Sequence, residues 1–249
     1  MNKLFGMLCL ICLSGLAVTG QAPAQKKNSR PVTKATEKKA AVRTALTPVY
    51  FYNFTKPEFL VSKVHIEHDE AGIGLIRFEK KKLEEEFTVP IELSEATVEL
   101  LKEHWENLGF LESKENYQSK LEYPHLGTMG LMMEKDGAER KVEFNWTDNK
   151  DVKALTDEYK KIGYEYVWKF ELDVARRNQP LESPRIVKEL DILLKRGQIS
   201  DPPHILPYLN ELSGDERMPL IARNHILRLA KSIGKKVKKE EKDGEKNSN

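Results

Sequence analysis

Apolar residues in the second half of the chain recur at Val152, Leu155, Tyr159, Ile162, Tyr166, Phe170 and Val174, three or four apart. That spacing gathers them on one face of an α-helix and predicts a helix over 148–177. A second stripe, Tyr164, Trp168, Leu172 and Ala175, begins only halfway along. At 3.6 residues per turn it falls on nearly the opposite side, so the first half of the helix packs on one layer and the second half between two. From Gly163 onward, Tyr164, Tyr166, Trp168, Phe170 and Leu172 also alternate at period two, the pattern of a strand. The continuous helix is the preferred reading. Lys161, Glu165, Lys169 and Asp173 step by four with alternating sign straight through this region, as on an exposed helix edge, and a lone glycine costs a helix only about 1 kcal/mol.

Upstream, the pattern switches to period two. The run Pro48 to Phe54 opens the folded region as a strand. Phe59 to His68 and Gly74 to Lys80 form a hairpin around Gly72, with Ile66 opposite Ile76 and Val64 opposite Phe78 on one face. Lys63, His65, Glu67, Arg77 and Glu79 take the wet face. In Glu84 to Leu93, Phe87, Val89, Ile91 and Leu93 share a side, and Pro90 makes this an edge strand because proline cannot donate to a ladder. Ser94 then caps a helix carrying Val98, Leu101, Trp105 and Leu108, which Gly109 closes. A short strand and a loop are expected between Phe110 and Leu126. Thr128 to Glu134 and Glu139 to Trp146 flank Asp136-Gly137, a primed two-residue turn that pairs Leu131 with Val142 and Met129 with Phe144. Thr147 or Asp148 is the expected cap of the long helix.

Beyond Pro180 the pattern is helical. Ile186, Leu190, Leu193 and Leu194 mark a helix that stops at Gly197. Asp201 with Pro202 starts one bearing Ile205, Leu209 and Leu212, and Met218, Ile221, Ala222, Ile226, Leu229 and Ile233 mark the last. The fold class that follows is α+β: an antiparallel sheet of five or six strands with helices on one face and a C-terminal helical layer. The sheet domain spans 47–179 and the helical subdomain, packed on the long helix, 180–234.

The ends of the chain change the picture of where it works. Lys3, an apolar run from Leu4 to Val18 and the small-residue site Ala22-Pro23-Ala24 read as a signal peptide over 1–24, the run of about 15 residues being shorter than the roughly 20 a spanning helix needs. Cys9 and Cys12 lie within it, leaving an exported, periplasmic or secreted chain without thiols and not transmembrane after cleavage. Neither cysteine follows a small residue, which argues against a lipid anchor. Residues 25–46 hold seven basic side chains against Glu37 alone, and 235–249 is lysine-rich; both are expected to be disordered and charged, around an acidic middle. The basic N-terminal arm suits contact with an anionic envelope surface. Nothing in the pattern suggests sequence-specific nucleic-acid recognition.

The chemistry of catalysis leaves little trace. No Gly-x-Ser-x-Gly elbow and no phosphate-binding loop occurs. Gly72-Ile73-Gly74 lacks the third glycine of a dinucleotide fingerprint and suits a hairpin loop. Of the six histidines, His65 and His68 fall on opposite faces of a strand, and His104, His125 and His204 sit beside a helix stripe or prolines. No metal and no cofactor is expected. Arg223, Asn224 and His225 interrupt an apolar helix. Packed near Arg176, Arg177, Asn178 and Gln179 they would form a polar seam able to hold a small anion or a peptide terminus, so Arg176, Asn178, Arg223, Asn224 and His225 are the candidate binding residues. The function expected is an envelope interaction or ligand-binding module whose partner is a protein or envelope component. The alternative is an envelope hydrolase using carboxylates or a histidine.

Overall fold

The computed structural model describes residues 47–81 and 85–247. The expected signal peptide, both cysteines and the whole of the basic arm lie outside the described residues. Strands β1 (Tyr50–Thr55), β2 (Val61–His68), β3 (Ile73–Lys80) and β4 (Glu85–Glu92) form an antiparallel meander. Helix α1 (Glu95–Asn107) then crosses the sheet and delivers the hairpin β5 (Thr128–Lys135) and β6 (Ala138–Phe144) to the free side of β1. The six strands stand in the order β4-β3-β2-β1-β5-β6. Pro90 lies in β4, an edge strand, where its missing donor does no harm.

The registers read from side-chain alternation are those observed: Val64 pairs with Phe78, Ile66 with Ile76, Leu131 with Val142 and Met129 with Phe144. Asp136 and Gly137 take φ of 53° and 78° in the two-residue turn between β5 and β6. In the other hairpin, a Cβ on Gly74 would lie 1.9 Å from the Glu67 carbonyl oxygen, so only glycine lets β3 approach β2 there. Ser94 caps α1 by accepting from the Thr97 N–H. No strand forms between Phe110 and Leu126; the segment is irregular and ends in a 3₁₀ turn at Pro124–Leu126. Arg140 substitutes for ladder bonds there by donating to the carbonyls of Phe110 and Glu115.

The long helix is continuous: α2 runs from Lys150 to Asn178. Its cap is Asn149, whose side chain accepts from the Asp151 and Val152 N–H groups, rather than Thr147 or Asp148. Helices α3 (Ser183–Lys195), α4 (Leu206–Ser213) and α5 (Leu220–Asn247) follow. Asp201 makes no side-chain cap, because Pro202–Ile205 forms a 3₁₀ turn before α4 begins. The lysine-rich stretch from residue 235, expected as a solvated tail, continues α5 as far as Asn247, lysine and glutamate being good helix formers.

Two apolar cores are strung along α2. Val152, Leu155, Tyr159, Ile162 and Tyr166 join α1 and the inner face of the sheet in the first. Trp168, Leu172 and Ala175 join α3, α4 and α5 in the second, so helices cover one face of the sheet and a helical layer lies behind. The charge ladder is less exposed than expected. Glu158 and Glu165 are buried, tied to Lys161 at 2.9 Å and to Lys169 at 2.5 Å. Ile221 is 67% exposed rather than in the core, since Met218, Ala222, Ile226 and Leu229 already fill the buried face of α5.

Candidate functional site

Tyr164, expected to pack in the second layer, is 44% exposed. It stands instead at the mouth of a cavity of about 720 Å³ bounded by the sheet, α2 and α3. The sheet supplies Tyr52 and Phe54 from β1, Val61 and Val64 from β2 and Met129 from β5. The β1–β2 connection adds Phe59 and Leu60, and Trp146 and Leu126 close one side. From α2 come Lys160, Gly163, Tyr164, Val167, Trp168 and Glu171, and from α3 and the residues after it Glu189, Ile192, Leu193, Arg196 and Gln198.

The helix residues recur three and four apart, so they form one stripe of α2 about 16 Å long between Lys160 and Glu171 at 1.5 Å per residue. Gly163 leaves this stripe without a side chain near its Lys160 end, where a Cβ would meet only Val64, at 3.8 Å. Several large side chains along it stay open to solvent, among them Phe59, Leu60, Leu126 and Ile192. Exposed apolar side chains grouped around one cavity make a surface chemically suited to an apolar ligand.

The charged side chains of the lining are Lys160, Glu171, Glu189 and Arg196. The Trp168 indole donates to the Ile186 carbonyl at 2.9 Å, and the Ser200 hydroxyl donates to the Glu158 carboxylate, so α3 runs antiparallel to α2. Arg196 therefore lies toward Lys160, and Glu189 toward Glu171. Lys160 is paired with Asp157 at 2.9 Å; Arg196 has no ion pair among the described residues. At the other end Glu171 is paired with Lys80 at 2.5 Å. Burial pushes the Glu189 carboxyl above its usual value, against the pull of Arg185 and with the charge of Glu171 adding to the rise.

One buried polar atom beside the groove is unsatisfied. Tyr52 is 1% exposed, and its hydroxyl has no hydrogen-bond partner among the described residues. Burial holds that phenol well above its usual value, so it remains a proton donor. The neighbouring Tyr159 is fully used. Its hydroxyl accepts from the Trp105 indole at 3.2 Å and lies 2.9 Å from His68 Nε2. His68 Nδ1 is 2.8 Å from the Asp69 carbonyl, which can only accept, so Nδ1 carries the ring proton and Nε2 accepts from Tyr159. Burial lowers the His68 pKa and keeps the ring neutral. This trio is a closed structural network.

The polar seam expected from the sequence is not assembled. Arg176 faces Asp173, Glu211 and Asp215 at 3.0, 3.1 and 3.3 Å. Asn178 is exposed at the end of α2. His225, on α5, has Arg228, Asp191 and Lys195 as its charged neighbours; the nearby Arg223 is half-buried with an unpartnered Nε, and Asn224 is exposed. Among the described residues no hydrogen bond or ion pair links Arg176 to the Arg223–His225 group. On the outer face of the sheet His65 lies 2.7 Å from Asn53 Oδ1 and 2.8 Å from Glu67, and Arg77 donates to Glu67 at 2.8 Å. Burial raises the Glu67 pKa, but the bonds from His65 and Arg77 outweigh it and hold the carboxyl below its usual range.

Among the described residues no group of three or more His, Cys, Asp and Glu could hold a metal ion, and no helix is long and apolar enough to cross a membrane. No protein-family model matches the chain, and a search of curated proteins finds no match. The groove itself went unread in the sequence. Its available signals were Phe59-Leu60 in a turn, Gly163 inside an aromatic helix, and a second stripe that starts late.

Proposed function

We propose that this chain is an exported envelope binding module that holds an apolar ligand in the groove between the sheet, α2 and α3. The observation that carries this reading is the groove: about 720 Å³ and lined mostly by apolar side chains, with Lys160, Glu171, Glu189 and Arg196 as its charged ones. A volume of 300–1,000 Å³ with a few placed polar groups is the ordinary form of a small-molecule site. Export rests on the N-terminal pattern of a basic residue, an apolar run and a small-residue site.

The test uses the neutral apolar fluorophore N-phenylnaphthylamine with the full chain. Its emission should rise on binding and stay low with Gly163→Leu, which adds a bulky side chain to the α2 wall of the groove. No rise with the wild-type chain, or equal rises in both, sinks the proposal.

A hydrolase is the second reading, favoured by one observation: Glu171 and Glu189 stand together at one end of the groove, and the Glu189 carboxyl is shifted toward the protonated form. Ester or glycoside cleavage abolished by Glu189→Gln would establish it. Turnover unchanged by that substitution would remove it.

A further inference from the structure

We propose that the ligand of the groove is a single-chain amphiphile with a carboxylate head, its hydrocarbon tail lying along α2 and its head at the Lys160 and Arg196 end. This rests on the groove reading above and gives it a substrate class.

The tail follows from what the groove offers and what it lacks. Every strand that lines it is interior to the sheet: β1 lies between β2 and β5, β2 between β1 and β3, β5 between β1 and β6. No free strand edge faces the groove, so an extended peptide would find no ladder for its amides and would lose their hydration without replacement. A hydrocarbon chain carries no such groups. The stripe of about 16 Å on α2 suits a linear molecule.

The head follows from charge. Lys160 and Arg196 line the same end, together with Asn145 and Gln198. Asp157 already engages Lys160 at 2.9 Å, which leaves the planar fork of Arg196 as the cation at this end without an ion pair among the described residues. One such positive charge matches a monoanion better than a dianionic phosphate. At the other end Lys80 and Arg185 are already engaged by Glu171 and Glu189.

Displacement of N-phenylnaphthylamine from the full chain by dodecanoate, dodecanol, dodecyltrimethylammonium, a monoacyl phosphatidic acid and an apolar helical peptide decides the matter. Dodecanoate should displace at least about tenfold more tightly than each of the others, the usual effect of one charge-assisted hydrogen bond. Arg196→Glu with Lys160→Glu should weaken dodecanoate by a similar factor and leave dodecanol within about threefold. Both side chains reach solvent, and the milder pair Lys160→Gln and Arg196→Gln, expected to weaken dodecanoate in the same direction, stands in should the reversals unfold. Equal or tighter binding of dodecanol, the ammonium, the phosphate or the peptide overturns the carboxylate assignment, as does indifference to the charge substitutions, while the groove reading survives. Failure of the neutral fluorophore to bind overturns both.

Discussion

Tyr52 lies flat against Tyr159, ring centroids 5.1 Å apart and planes 3° from parallel, yet the two hydroxyls have opposite fates. Tyr159 serves both Trp105 and His68, whereas Tyr52 has no partner among the described residues. Tyr159→Phe should therefore cost about 1–3 kcal/mol by orphaning buried polar groups, while Tyr52→Phe should be neutral or stabilise by about 1 kcal/mol. Urea denaturation of the ligand-free chain measures both. A larger loss for Tyr52→Phe than for Tyr159→Phe would contradict the assignment.

Gly163→Ala should raise stability by about 0.5–1 kcal/mol, because alanine is the better helix former and its Cβ reaches only ordinary contact with Val64. Thermal melting should show the rise. The same methyl narrows the groove, so fluorophore binding should weaken as stability grows.

Gly74→Ala should destabilise by several times the usual cost of a surface substitution, which is about 0.5 kcal/mol. Its Cβ would fall on the Glu67 backbone, not on a flexible side chain. Hydrogen exchange in β2 and β3 should quicken first. Protection equal to that of the wild-type chain would show that the two strands can separate without loss.

Acid should weaken the joint between α4 and α5. Arg217 donates to Asp215, and Arg176 lies beside it, so the carboxyl is held at about 2. A depressed carboxyl contributes stability above its unfolded value of about 3.9, and loses it as pH falls through that value toward 2. Allowing for the exposure of Arg217, Asp215→Asn should cost about 1–2 kcal/mol at pH 7. The difference from wild type should vanish near pH 2. His68 acts in a higher window. Its folded pKa is lowered, so below about 6.5 the unfolded chain takes up a proton that the folded chain refuses, and stability declines.

Much of the sheet was legible because two cues agreed at the same residues. The Asp136-Gly137 turn and the alternation of Met129, Leu131, Val142 and Phe144 each specify one register, and it is the one formed. The length of α2 was legible for a similar reason, its charges and its apolar stripe both running through Gly163. The groove was not, because a cavity is made by side chains that stop short of one another, and its walls come from segments more than a hundred residues apart. Tyr164 shows the difficulty: its spacing matches the buried Trp168 and Leu172, but α3 stands across the groove from it and leaves it 44% exposed. The polar seam failed for a related reason. Arg176 finds its acids on α4 and the turn after it, so it has no need of the groups on α5.

Because one rod threads both cores, neither half of the molecule owns its own interior. Cutting the chain after Gln179 would lay bare Trp168, Leu172 and Ala175, and cutting before Lys150 would strip α1 and the strands of their cover. The body should thus melt as a single event, and a cell seeking to recycle it would find no spare part to keep.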